Sequence, residues 1–74
     1  MSELRLRKFS PIDRDYPIYE VVDGDCVLLD VGRADDGAYE IAFHADASGR
    51  VIALEALERM IAEAKELLAA EVPS

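Results

Sequence analysis

The stretch Val27-Leu28-Leu29-Asp30-Val31-Gly32-Arg33-Ala34-Asp35-Asp36-Gly37-Ala38-Tyr39-Glu40-Ile41-Ala42-Phe43 decides the fold. Two runs rich in β-branched and aromatic residues flank Asp35-Asp36-Gly37, a turn signal in which glycine supplies the positive φ. A turn over Ala34 to Gly37 closes on the pair Ala34–Ala38. Parity then sets Val31 opposite Ile41 and Leu29 opposite Phe43, with Val27 and Tyr39 on the same side. That side is uniformly apolar, so turn chemistry and pattern agree, and it is the face expected under a helix. The other face carries Cys26, Leu28, Asp30, Glu40, Ala42 and His44.

Working back from this hairpin, Asp23-Gly24-Asp25 is a second turn, and Ile18 to Val22 precedes it as a strand. Its register is open. One register turns Tyr19 and Val21 inward and leaves Ile18, Glu20 and Val22 outside. A two-residue Asp23-Gly24 turn instead turns Ile18 and Val22 inward. In the first register Ile18, Val22, Cys26, Leu28 and Ala42, with His44 beside them, share the outer face as a candidate interface. Ser10 to Pro17 is a loop bounded by prolines, and Pro17 suits a strand start because it donates no ladder bond. Leu4 to Phe9 alternates Leu with Arg and reads as a first strand. Arg5, Arg7 and Lys8 there serve as edge protection or as partners for the acidic remainder of the chain.

Working forward, Ala45 to Arg50 is a polar connection. From about Leu54 to Glu71 the period becomes helical: Leu54, Leu57, Ile61, Ala64 and Leu68 recur at spacings of three and four, widened by Met60 and Leu67. Glu55, Glu58, Arg59, Glu63, Lys65 and Glu66 take the opposite side, where Glu55, Arg59 and Glu63 are spaced to pair. Pro73 marks the stop. A stripe this wide suits a sheet better than a coiled-coil seam. The predicted fold is α+β, one domain over residues 1–74: a four-stranded antiparallel meander (strands about 4–9, 18–22, 26–33, 39–44) with one C-terminal helix (about 54–71) on one face.

The chain has 74 residues, and 51% of them are apolar, enough for a packed core but a small one. Its single cysteine, Cys26, allows no disulfide within the chain, so self-association is the remaining common stabiliser. The lone thiol, together with an N-terminus lacking a signal-like apolar run, points to the cytoplasm. No apolar run is long enough to span a membrane. The net charge is −8 and uneven: residues 1–14 sum to +2 and residues 15–74 to −10. Such a charge repels phosphate backbones and disfavours nucleic acid, but suits a basic protein partner.

Candidates for chemistry are few. His44 is the only histidine, and with Cys26 it could form a thiol–imidazole pair. That pair would lie on an open sheet face with no oxyanion donors. Asp13-Arg14-Asp15, Asp23-Gly24-Asp25 and Asp35-Asp36 are acidic loop clusters without the spacing of a calcium loop. No phosphate-binding glycine loop is present, and neither a cofactor nor a metal is expected. The function expected is a small acidic protein-interaction module without catalytic activity. It would self-associate as a dimer or bind a basic partner, as an immunity protein or regulator does. The alternatives are a purely structural homodimer and, behind it, an enzyme or small-molecule binder using Cys26 and His44.

Overall fold

The computed structural model describes residues 3–71. They form four strands, β1 (Leu4–Phe9), β2 (Ile18–Asp23), β3 (Cys26–Arg33) and β4 (Tyr39–Phe43), then a short 3-10 turn (Ala45–Ala47) and one helix, α1 (Leu54–Ala70). The sheet is an antiparallel meander in the order β1-β2-β3-β4. This is the α+β fold that the sequence predicts. Pro73, the predicted stop signal, lies outside the described residues.

The β3–β4 hairpin closes as its turn chemistry requires. Gly37 has a φ of +91°, the Gly37 N–H donates to the Ala34 carbonyl, and the Ala34 N–H donates to the Ala38 carbonyl at 2.8 Å. Leu29 then faces Phe43 and Val31 faces Ile41.

The β2–β3 hairpin resolves the open register in an unexpected way. Its loop is Gly24-Asp25, because Asp23 pairs with Cys26 and Val22 with Val27. Gly24, at φ +63°, takes the first loop position, where a II′ turn places glycine. A β-bulge follows at Leu28, and beyond it Val21 faces Leu29 and Tyr19 faces Val31. Two constraints meet here: the tight turn fixes one register, and the apolar face set by the β3–β4 hairpin demands another. One extra residue reconciles them. Three side-chain assignments are thereby corrected. Past the bulge Val27 leaves the side of Leu29 and Cys26 moves to it, next to Asp23. Leu28, expected on the outer face, is drawn into the core and is 0% exposed.

The core joins Tyr19 and Val21 of β2, Leu28, Leu29 and Val31 of β3, and Ala64 and Leu68 of α1. Leu4 and Leu6 of β1 and Leu57, Met60 and Ile61 of α1 pack at its margin. The helix lies over β1, β2 and β3. It does not seal β4: Tyr39, Ile41 and Phe43 remain 38%, 42% and 73% exposed. The expectation that this whole face is buried is therefore corrected, and the reason is width. A helix about 10–12 Å across its side chains cannot cover four strands spaced about 4.8 Å apart. Leu54 and Leu67, counted in the apolar stripe, are exposed as well.

Polar contacts fasten the edges. Arg7 Nε meets Glu20 Oε1 at 2.7 Å, and the Arg5 guanidinium donates to the Gly24 carbonyl. Among the described residues the ion pairs join strands, loops and the helix end, and none forms along Glu55, Arg59 and Glu63. At the helix end Glu71 Oε1 accepts from the Tyr19 hydroxyl at 2.8 Å and pairs with Lys8 Nζ at 2.7 Å, tying α1 to β1 and β2.

This clamp perturbs all three groups. The hydrogen bond from Lys8, then that from Tyr19, holds the Glu71 carboxyl below its ordinary value of 4.5. The bond to Glu71 raises Lys8, and burial followed by the bond to Glu71 raises the Tyr19 phenol. A carboxyl depressed by folding stabilises the fold fully above its unfolded value and loses that contribution as pH falls through its folded value. The raised Lys8 and Tyr19 act oppositely: their contribution is complete below 10.0 and is lost as pH rises through the folded values. Urea unfolding should therefore show Glu71→Gln to be less stable than the wild type by a constant amount across neutral pH. The gap should close below 4.5. A gap that persists undiminished into strong acid would rule the clamp out.

Leu68, fully buried at the centre of the interface between α1 and the sheet, should lose about 3 kcal/mol on substitution by Ala. That is a large share of the roughly 4–11 kcal/mol expected of a chain this size. Denaturant titration measures it, and a loss under about 1 kcal/mol would mean that α1 is not packed as described.

Candidate functional site

Two regions remain once the core is accounted for: the sheet face turned away from the helix, and the uncovered flank of β4.

The outer face is polar at its centre. Alternation from the β3–β4 pairing places Asp30, Gly32, Glu40, Ala42 and His44 there, with Ile18 and Glu20 from β2. The His44 N–H donates to the Leu28 carbonyl, extending the ladder one step past β4 and fixing the imidazole over the sheet. Its Nε2 lies 3.0 Å from Asp30 Oδ1. The approach is close but not aligned as a hydrogen bond, so this oxygen, itself shielded from solvent, has no hydrogen-bond donor. The contact is an ion pair when the imidazole is protonated.

Beside it the loop from Ser10 to Pro17 bends over the sheet. Arg14 donates to the Arg33 carbonyl at 3.3 Å and reaches Glu40 Oε1 at 3.5 Å. Under Arg14 is a cavity of about 220 Å³ lined by Ile18, Asp30, Gly32, Glu40 and Ala42 among others. It is smaller than the roughly 300–1,000 Å³ of a typical ligand site. Among the described residues no group of three His, Cys, Asp or Glu side chains is placed to hold a metal ion.

The six residues expected to form one interface do not come together. Ile18 and Ala42 line the cavity, and His44 stands next to it on Asp30. Val22 and Leu28 are 1% and 0% exposed and offer nothing to a partner. Cys26 belongs to the opposite side, where its Sγ accepts from Arg50 at 2.9 Å. The same guanidinium reaches Asp23 Oδ2 at 3.3 Å and donates to the Asp46 carbonyl, so it holds the connection before α1 against the Gly24-Asp25 hairpin. The thiol–imidazole pair considered from the sequence is thus separated by the sheet itself, and the bulge at Leu28 is what separates it.

The uncovered flank of β4 is a region that the sequence pattern does not single out. Tyr39, Ile41 and Phe43 form an apolar row on the helix side of an edge strand, and all five residues of β4 are exposed. At Tyr39, Arg33 and Lys65 place their cationic groups 5.5 and 5.4 Å from the ring centroid. Val51 and Leu54, in and after the connection, are also exposed apolar side chains. The signal was available, since a single helix follows four strands and each of the last three carries apolar side chains on the helix side.

No family model, no curated protein and no solved structure matches this chain. The geometry of the two regions is therefore what bears on function.

Because the sheet separates Cys26 from His44, His44→Ala should leave the alkylation rate of Cys26 by iodoacetamide unchanged within about twofold. A larger slowing would show that the imidazole does reach the thiol.

Proposed function

We propose that this chain is a small protein-interaction module without catalytic activity, and that its binding element is β4 with the apolar flank beside it. The supporting observation is the row Tyr39, Ile41 and Phe43, left open on an edge strand by a helix that covers the rest of the face. Exposed apolar rows on a small domain mark interaction surfaces. An edge strand adds main-chain hydrogen bonds for any partner that can extend the sheet. The outer-face cavity is small, and the polar side chains beside it pair with one another, Arg14 with Glu40 and His44 with Asp30, which suits a polar rim better than a reaction centre.

The −8 charge favours a basic protein over a nucleic acid among partners other than the chain itself. The lone Cys26 suits a reducing, cytoplasmic setting. No helix among the described residues is long and apolar enough to cross a membrane.

Affinity capture on the immobilised chain tests this reading when wild type is compared with variants. Ile41→Lys and Phe43→Lys should abolish retention of partner protein, while Phe9→Lys, on the far edge strand, should not. Retention indifferent to both β4 substitutions, or association with no protein at all including the chain itself, would contradict it.

A further inference from the structure

The geometry points to a second copy of this chain as the occupant of the β4 edge, paired antiparallel about a two-fold axis at Ile41. The inference rests on β4 being the binding element and adds what binds there.

The ladder decides which backbone groups are free. The Ala34 N–H donates to the Ala38 carbonyl and the His44 N–H donates to the Leu28 carbonyl. In an antiparallel pair the bonded positions alternate, so Ala38, Glu40, Ala42 and His44 bond inward to β3. Tyr39, Ile41 and Phe43 therefore turn their N–H and C=O groups outward, along the edge that β4 presents to solvent. These are the same residues whose apolar side chains lie open on the helix side.

A two-fold axis beside Ile41 pairs Ile41 with the Ile41 of the second copy and Tyr39 with its Phe43. Every outward N–H and C=O of the three residues then finds a partner. On the helix side two isoleucines meet, flanked by two tyrosine–phenylalanine pairs, an arrangement favourable across strands. On the outer face Glu40 falls opposite Ala42, so no charged side chain in the ladder lies directly opposite another. The surface is self-complementary, as a two-fold interface must be.

The two edges of the sheet differ in a way that favours this choice. On β1 the side chains of Arg5, Arg7 and Lys8 guard the edge, and each is engaged within the chain. On β4 the only charge is Glu40, already within reach of Arg14. Arg33 and Lys65 stand at Tyr39 beside that one carboxylate, so the strand itself offers a basic segment little attraction. A standard interface covers about 800 Å² per partner. A five-residue edge falls short of that, and each copy carries a charge of −8. The dimer is accordingly weak, and salt strengthens it by screening the repulsion.

The test is sedimentation equilibrium of the full chain from about 10 μM to 1 mM, at about 0.05 M and 0.5 M salt. The mass should rise from 8.2 kDa toward twice that value, at lower concentration in the higher salt. Ile41→Lys should weaken association at least about tenfold. Ile41→Pro should do the same while the monomer stays folded, because the N–H it removes is not used by β3. Phe9→Lys should leave it unchanged. A monomer throughout, a dimer indifferent to both Ile41 substitutions, or a mass growing past the dimer would each overturn the proposal. A monomer that still captures another protein through Ile41 and Phe43 would sink the second copy alone and leave the binding role of β4 standing.

Discussion

The contact between α1 and the sheet governs the rest of this structure. Leu68 and Ala64 share one core with Tyr19, Val21, Leu28, Leu29 and Val31, and the Glu71 clamp holds the far end of the helix to Lys8 and Tyr19. One helix is too narrow for four strands, and its tie to β1 settles which strand goes uncovered. Once α1 is anchored over β1, β2 and β3, β4 must be the strand left open. The exposed Ile41 and Phe43 follow from that anchoring rather than from any weakness in the β4 sequence.

The bulge at Leu28 is the second constraint, and it acts on function as much as on packing. Gly24-Asp25 fixes a tight hairpin, Asp35-Asp36-Gly37 fixes another, and β3 has to satisfy both. The extra residue lets it do so, gains a fully buried leucine, and sends Cys26 to the side away from His44. The histidine is left with Asp30 instead. A turn glycine thus decides whether a thiol and an imidazole can meet.

Much of this was legible in the sequence. The β3–β4 register, the four strands, the helix and the left-handed Gly37 all follow from alternation and turn chemistry. The place of Cys26 and Leu28 was not, because strict alternation has no room for a bulge, and each hairpin read alone looks regular. Nor was the exposure of β4. Periodicity shows which side of Ile41 and Phe43 is apolar, but how far a helix reaches across a sheet depends on where its ends are tied. That tie, from Glu71 to Lys8 and Tyr19, spans more than fifty residues and leaves no local pattern.

The binding surface exists because β4 is an edge strand bonded on one side only. Amide hydrogen exchange of the dilute full chain, read residue by residue by NMR, tests it most directly. The amides of Glu40, Ala42 and His44, bonded to β3, should be protected, while those of Tyr39, Ile41 and Phe43 exchange at rates close to those of an unfolded chain. Protection of all six alike in the monomer would mean that the outer edge of β4 is already covered within the chain and is not open to any partner.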